Sequence, residues 1–596
     1  MSQQRISHIS AAVLALAACA GSLMAGTPLE IVTATFLGTA EDDDLEGACA
    51  APDGTIYIAG NTGTLARDLP GGIAAVTLGA ATKEPKCGCG FVAQLSPDGK
   101  KILRYVQLGP GIAVLTTVAV NDKGVYASGY ASEGLEELLK DRAGLTRQYT
   151  LRKDLEYHQQ QLDAGKKDPI AGRPSLGRQG APCVLRFSKD LAKLECGTYL
   201  EGWQQVYDKN RVRKFTKELE GGWVEYFWQP TGLSILASGD IIVCHDGGYF
   251  RMPKESDKAL IAQWEKEQKE KEAAGEKKEL AEKDKLSERL LFYDCCDHVS
   301  RLAADLDKRV WKKDIYTPAV NPEVAKKVRD GWPLPHHSSP RTLRMRPDKD
   351  ENVFLCGWSA SYTSKEPYWT PYLWKLDPKS GEPVWKIYSW DPMSGPDARM
   401  NGNVADTAVV TLALEDNGNI LTSLLADGGN SVMGWGPRGH EGVKMTAPIK
   451  GDNFGVKLVH WWGQVQRVDG KTREGLGGAR IGPWGWVNDM APLPGGQVLA
   501  VGRCNGDFKC TPDAWCGKVA VDNPIAFVRV FAPEWDLLFS TVVPGLVPFE
   551  LSRLGANRVI LVGRADKEGA PMKDALYGKP LGKSDGYLLI VEAKGQ

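Results

Sequence analysis

Residues 48–61 read ACAAPDGTIYIAGN: an apolar run, a tight polar turn, a second apolar run and a glycine. The phrase returns as TVAVNDKGVYASGY (117–130), RMRPDKDENVFLCGW (344–358) and MAPLPGGQVLAVGR (490–503). Two apolar runs joined by an Asp/Asn/Gly turn make a β-hairpin. A second phrase alternates with it, a strand, a charged turn and another strand. It reads FVAQLSPDGKKILRYVQLG (91–109), VLRFSKDLAKLECGTYL (184–200) and FVRVFAPEWDLLFSTVV (527–543). Two hairpins make a four-stranded antiparallel sheet. One such sheet cannot cover both of its faces, so several must stack in a ring.

The first phrase begins near Gly47, Thr116, Thr231, Arg341, Ala408, Val487 and Pro548, which is seven times. The sequence therefore predicts an all-β fold, a closed β-propeller of seven four-stranded blades. The fifth unit is the faintest, which leaves counts of six and eight open. The seventh unit has one clear strand in its second half, DGYLLIVEAKG (585–595). The missing strand lies at the other end of the chain, where EIVTATFLG (30–38) matches ILRYVQLG (102–109). An N-terminal strand that completes the last sheet would close the ring and remove its open edges.

A ring of repeats can hold 596 residues as one domain, here 29–596. Formal net charge is −1, and no basic stripe is interleaved with aromatics, so nucleic acid is not an expected partner. Residues 1–25 read as an export signal: Arg5 precedes an apolar stretch, Ile9–Ala18, too short to span a bilayer. The stretch ends in Leu16-Ala17-Ala18-Cys19, which resembles a bacterial lipobox and would lipidate Cys19. Ordinary cleavage near Ala20 or Ala25 is the alternative. The expected location is periplasmic, outer-membrane lipoprotein or extracellular, with membrane contact only through a lipid anchor, and a monomer is expected. Thirteen cysteines suit an oxidising compartment. The disulfide candidates are Cys183 with Cys196, which flank one hairpin, and the cluster Cys504, Cys510 and Cys516.

The pairing of TATFLGTAEDDDLEGACAAPDGTIYIAGNTGTLARDLPGG (33–72) with GFVAQLSPDGKKILRYVQLG (90–109) resembles the SBBP-type bacterial β-propeller repeat. Its marks are a T-F-L-G strand, an acidic turn, a D-G-x-Φ-Y-Φ-x-G hairpin and F-V-A-K-L-S-P-D-G. The first unit matches closely, the second and sixth moderately, and the middle units carry insertions. The resemblance implies a secreted or cell-envelope propeller and supplies no shared catalytic site.

Insertions fall between the second and third strands of a blade, at 131–181, 250–296, 426–460, 503–525 and 564–584. That connection leaves a blade on the same face as the blade-to-blade links, so one rim carries the additions. Leu135–Gln161 and Lys254–Leu291 are rich in Glu, Lys, Leu and Gln with i,i+4 charge pairs and are expected to be helical.

Blade 3 departs from the repeat where most blades place glycine (Gly60, Gly129, Gly357, Gly502 and Gly563), with His245 inside Cys244-His245-Asp246. Its returning strand begins Cys295-Cys296-Asp297-His298. Thiolate, imidazole and carboxylate on neighbouring strands could hold zinc or copper, with His336 and His337 joining from the link into blade 4. The competing reading is a disulfide from Cys244 to Cys295 or Cys296, or a vicinal bridge. Asp42-Asp43-Asp44 could offer oxygen ligands to calcium, although the spacing fits a solvated acidic turn better than an EF-hand. Leu376–Trp385 resembles the tryptophan-docking repeat of pyrroloquinoline-quinone propellers but occurs once where a ring should repeat it. No C-x-x-C-H, H-E-x-x-H, G-x-S-x-G or P-loop is present.

These observations favour a non-catalytic role, with no cofactor firmly implied. The leading expectation is a binding or scaffold module of the cell envelope whose protein or glycan ligand meets the inserted rim. A metal-dependent enzyme built on the blade 3 Cys/His cluster is the second, and a structural envelope component the third.

Overall fold

The computed structural model describes residues 28–67, 69–80, 89–131, 134–139, 179–200, 204–205, 231–249, 266, 270, 294–315, 339–360, 369–387, 389–390, 407–427, 442–451, 461–483, 485–504, 508–516, 525–565, 570–577, 579–582 and 584–594. They form seven sheets, each built on four antiparallel strands. Blade 1 holds Asp43–Ala50, Ile56–Thr62, Cys89–Leu95 and Ile102–Leu108. Blade 2 holds Ala113–Val120, Val125–Ala131, Gln179–Phe187 and Leu194–Tyr199, and blade 3 Thr231–Ile235, Ile241–Tyr249, Asp294–Leu302 and Arg309–Ile315. Blade 4 comprises Ser339–Pro347, Val353–Ala360, Trp369–Leu376 and Pro383–Ile387. Thr407–Leu414, Ile420–Asp427, Trp461–Val468 and Glu474–Pro483 make blade 5, and Trp486–Pro492, Val498–Cys504, Ile525–Phe531 and Leu537–Val543 blade 6. Blade 7 takes Leu546–Leu554, Arg558–Ala565 and Asp585–Ala593 from the end of the chain, and its fourth strand is Leu29–Leu37.

The N-terminal strand thus closes the ring, pairing antiparallel from Leu29 opposite Ala593 to Leu37 opposite Gly586. The first strand of each blade packs against the first strands of both neighbours, and the contacts return from blade 7 to blade 1. Those seven strands surround the axis.

The hydrophobic core is divided among the blade junctions. Seven buried apolar clusters each draw on two consecutive blades, from Tyr57, Leu115 and Leu185 between blades 1 and 2 to Leu45, Ile58 and Ile590 between blades 7 and 1. Strand alternation explains this division, because successive side chains point to opposite faces of a blade and both faces meet a neighbour.

Polar latches reinforce the apolar layers. The Thr33 hydroxyl of blade 7 donates to Asp98 O (2.6 Å) and the Tyr57 hydroxyl of blade 1 to Lys189 O (3.0 Å). Tyr126 and Arg186 of blade 2 donate to Ala304 O, Arg301 and Trp311 of blade 3 to Pro378 O, and Arg467 of blade 5 to Pro533 O. Each acceptor lies in the turn between the third and fourth strands of the following blade. Arg467 is further held by a bidentate pair with Glu415 (2.8 and 2.9 Å), a strong arrangement in a mostly buried setting.

The repeated glycine has a steric cause. In six blades the first strand carries a β-bulge, as at Leu45/Gly47, Leu115/Thr117 and Val487/Asp489. The bulge swings a backbone carbonyl toward the second strand. A Cβ on Gly502 would lie 1.9 Å from Trp486 O, and one on Gly129 1.9 Å from Val114 O. Blade 5 keeps its bulge with Leu424, so the glycine answers to how close the carbonyl comes. Gly502→Ala should cost about 3 kcal/mol or more, since the obstructing atom is backbone. Urea denaturation would check it, and a loss below about 1 kcal/mol would contradict the crowding.

The two faces differ. On the lower face the first two strands of a blade are joined within 51–55, 121–124 or 555–557, and the last two within 96–101 or 188–193. The connections 63–88, 132–178, 250–293, 428–460 and 566–584 between second and third strands, and 200–230, 316–338 and 388–406 between blades, leave from strand ends on the upper face. Of the expected helical inserts, the described residues show a helix at Gly134–Leu139, anchored by buried Leu135 and Leu139. They also show Lys266 and Glu270 in helical conformation at i,i+4 (3.9 Å). The rest of both inserts lies outside the described residues.

Candidate functional site

The blade 3 segments do lie on neighbouring strands, but the ladder divides the expected cluster. His245 sits opposite His298 and Cys244 opposite Val299. The two histidines are buried, with ring centroids 5.1 Å apart at 50°. They lie on the face of the sheet that carries Ile241 and Val243 toward blade 2. Cys244 points the other way, into the layer with Trp311, Met345 and Tyr372 of the junction with blade 4. Residues adjacent in sequence are on opposite faces of a strand, which corrects the single ligand set. Among the described residues no group of three or more His, Cys, Asp or Glu side chains is arranged to hold a metal ion.

The disulfide from Cys244 to Cys295 or Cys296 is corrected too. Those residues stand opposite Gly248 and Gly247, three or more positions from the Cys244–Val299 pair. At ~3.3 Å per residue that is roughly 10 Å, beyond the ~7 Å Cα separation a disulfide can bridge. Asp246 stands opposite Asp297, whose carboxylate accepts from Thr342 N–H of blade 4. The side chains of Asp246, Cys295 and Cys296, and residues Cys19, His336 and His337, lie outside the described residues.

Cys183 stands opposite Tyr199, while Cys196 stands opposite Arg186, again three positions along the ladder. Both carry free thiols, as do Cys504, Cys510 and Cys516. The last three do converge on one apolar cluster with Phe527, and burial pushes the Cys504 thiol up to about 12.

The acidic turn is not solvated. Asp43 is buried, and its carboxylate accepts from Thr39 N–H, the Thr39 hydroxyl and Gly63 N–H (2.9 Å). Burial still outweighs these bonds, with Asp585 nearby, and raises Asp43 to about 8. Asp44 pairs with Arg564 of blade 7 at 3.4 Å.

The chemistry-bearing cluster that the structure does assemble lies on the axis. Arg344 of blade 4 donates across to Phe549 O of blade 7 (3.3 Å) and Asn488 O of blade 6 (3.5 Å). Its guanidinium lies 3.4 Å from Asp489 and 3.7 Å from Glu550. Arg346 lies 3.1 Å from Glu550 and 3.7 Å from Asp489. Asp489 is fully buried and joins two further strands: the Thr411 hydroxyl donates to Oδ1 (2.7 Å) and Leu551 N–H to Oδ2 (2.8 Å). Glu550 Oε2 rests 3.2 Å from where Gly47 would carry a Cβ, so the missing side chain makes room for the carboxylate. Ion pairs thus join blades 4, 6 and 7 across the axis.

Above them, the bulged residues Glu46, Thr116, Val410, Asn488 and Phe549 are partly exposed although the residues on either side are buried. Innermost strands have no other solvent to face, so these side chains line the channel. Glu46 is raised to about 8, first by burial, then by Asp44 and Glu550, against the pull of Arg564. Burial likewise raises Glu550 against Arg346 and Arg344.

A group raised in the folded state holds its proton at pH 7 while the unfolded chain has lost it. Its contribution is complete below the unfolded value near 4 and is lost as pH climbs to about 8. Asp43 and Glu46 should together lower stability across that window by on the order of 3 kcal/mol or more, levelling off above it. Melting temperatures from pH 5 to 9 would show the slope, and Glu46→Gln should flatten part of it. An unchanged slope would contradict the assignment.

Sequence reasoning missed the axial residues, yet they share one column of the repeat. The residue just after the bulge is Gly47, Thr117, Arg344, Thr411, Asp489 or Glu550. Aligning the first phrases would have shown charges standing among small residues there. On the lower face, an open groove of about 570 Å³ between blades 7 and 1 includes Arg553 and Arg558, whose charges are met by Asp416 (3.0 Å) and Glu592 (3.3 Å).

No family model matches the chain, and no curated protein matches it by sequence. Among solved structures it is similar to the polysaccharide lyase Uly1, with 8% identity and a TM-score of 0.40 over 94% of this chain and 92% of that one. A protein of unknown function from Dyadobacter fermentans matches with 11% identity and a TM-score of 0.35, over 95% and 100%. The quinohemoprotein alcohol dehydrogenase of Comamonas testosteroni matches with 10% identity and a TM-score of 0.34, over 96% and 77%. These likenesses carry neither activity nor ligand to this chain.

Proposed function

We propose that this protein is an exported binding or scaffold module of the cell envelope that holds a protein or glycan against the upper face of a rigid ring. The observation that supports the reading is the contrast between faces. Every lower turn is short, while the long connections leave from the upper face. Function concentrates on loops carried by a rigid scaffold, and binding there needs only a preformed concavity and a few anchors. Export rests on the signal-like residues 1–25 and on the resemblance to envelope propeller repeats. The metal-enzyme alternative loses its main support with the separation of Cys244 from His245 and His298.

Glycan arrays and envelope fractions presented to the mature protein test the reading, beside a variant in which short turns replace 140–178 and 250–293. The trimmed ring should melt like the parent and lose the ligand; equal capture would refute upper-face binding. Mass spectrometry of the mature N-terminus tests export. A lipidated Cys19, or cleavage near Ala20 or Ala25, is expected, and a retained residue 1 would overturn it.

A further inference from the structure

The insert of blade 6 folds back on its own blade over 508–516. The Thr511 N–H donates to Ser540 O (2.9 Å), the Ser540 N–H to the Thr511 hydroxyl (3.1 Å) and the Ser540 hydroxyl to Lys509 O (2.7 Å). Further on, the Cys516 N–H donates to the Thr541 hydroxyl (3.1 Å), and Trp515 packs on Phe539 with ring centroids 5.1 Å apart. The chain around Cys510 and at Cys516 is therefore pinned at neighbouring positions of the strand Leu537–Val543, about 3.3 Å apart along it. Both cysteines are half-buried and pack on the apolar layer that encloses Cys504 at the end of Val498–Cys504. Burial raises the thiols of Cys504 and Cys516, and negative charge on Cys510 raises both further. Cys510 is thus the neighbour that the other two share.

Arg529 brings a cation to the same place. Its guanidinium is almost wholly buried, 3.8 Å from the centroid of the Phe508 ring, and donates to Ile481 O (2.7 Å) and to the Ser540 hydroxyl (3.2 Å). Among the described residues no carboxylate pairs with it, and the acidic groups beside it are the thiols of Cys504 and Cys510. A buried charge is costly without an opposite one, so negative charge on a nearby sulfur is favoured. Cys504 is closed off from solvent, whereas Cys510 is partly open to it. Reactive cysteines are those beside a cation and within reach of solvent, and buried ones are inert.

We propose that Cys510 is a nucleophilic thiol that exchanges with small organic disulfides, with Arg529 as its positioning cation and Cys516 as the resolving thiol. The half-buried sulfurs admit a slim substrate. The Cys510 thiolate attacks one sulfur of the incoming disulfide, whose S–S bond breaks; a mixed disulfide forms and the first thiolate leaves. Cys516 loses its proton to solvent and attacks the Cys510 sulfur, which breaks the mixed disulfide and releases the second thiolate. Two protein thiols are oxidised to one Cys510–Cys516 bond. The incoming disulfide is reduced to two thiols, which take up the protons that the cysteines lost. Cys504 takes no part, its thiol donating to Ile525 O (3.5 Å). The product clamps the insert across the outer strand of blade 6.

The reduced mature protein, incubated with glutathione disulfide and followed by intact mass and peptide mapping, tests the site. A protein two hydrogens lighter and linked from Cys510 to Cys516 is expected. Cys516→Ser should stop with one glutathione on Cys510, and Cys510→Ser should give neither product. In the Cys516→Ser background, Arg529→Met should slow formation of the adduct about tenfold or more, and Arg529→Lys should recover most of the rate. The arginine variants are compared where circular dichroism shows the ring intact; if Arg529→Met does not fold, the cysteine variants still decide. A first glutathione on Cys516 or Cys504, a link that includes Cys504, or no reaction in the time that free cysteine is consumed would overturn the proposal. So would an undiminished rate in folded Arg529→Met. None of these outcomes depends on the ligand of the upper face.

Discussion

A chain that begins after Leu37 should not form the ring. Residues 29–37 supply a whole strand of blade 7, and Leu29, Phe36 and Leu37 are buried almost completely. At 1.5–3 kcal/mol for each fully buried large side chain, these three alone are worth about 6 kcal/mol. That approaches the entire net stability of a typical domain. The deletion would also expose the edge of Asp585–Ala593, whose residues are nearly all buried. The truncated protein should aggregate or melt at least ~15 °C lower, as read by circular dichroism and size-exclusion chromatography. A peptide of residues 28–40 added in trans should restore part of the loss by strand addition. An unchanged melting temperature would show that the ring does not depend on this closure.

Asp489→Ala should be the most damaging single substitution on the axis. It leaves Arg344 without its nearest carboxylate and removes the acceptor of the Thr411 hydroxyl and of Leu551 N–H. Breaking a buried pair on one side typically costs about 3–5 kcal/mol, because the other charge stays buried. Removing both sides should be milder, so Arg344→Met with Asp489→Leu should recover part of the loss. Urea midpoints of the two single variants and the double variant would settle it. A cost for Asp489→Ala below about 1 kcal/mol would mean that Arg344 is neutralised by Glu550 alone.

The fold was legible because its signals are local and repeated. Apolar runs, Asp/Gly turns and the glycine column recur, and the last has a specific cause in the bulge carbonyl at positions such as Gly502. Closure was legible because Glu30–Gly38 resembles the outer strands of other blades. The site was not legible in the same way. His245 and Cys244 are neighbours in sequence, but the ladder sends them to different junctions, and only the register shows it. The Cys183–Cys196 pairing failed for a related reason. It assumes a symmetric hairpin, whereas the turn 188–193 and the irregularity at Leu194/Cys196 shift the partners. Arg344, Asp489 and Glu550 are far apart in the chain and meet only when the ring closes, so no short motif contains them.

The pairing of Leu29–Leu37 with Asp585–Ala593 also sets a clock for biosynthesis. The first strand made waits for the last, and at 5–20 residues per second that wait is roughly 30–100 s. Through that interval a strand bearing Ala34, Phe36 and Leu37 has no partner, and the growing array offers an open edge to any other nascent chain. The cell must therefore shelter an unfinished ring for the whole of its synthesis, and a holdase acting on the N-terminal forty or so residues would matter more to yield than any catalyst of folding.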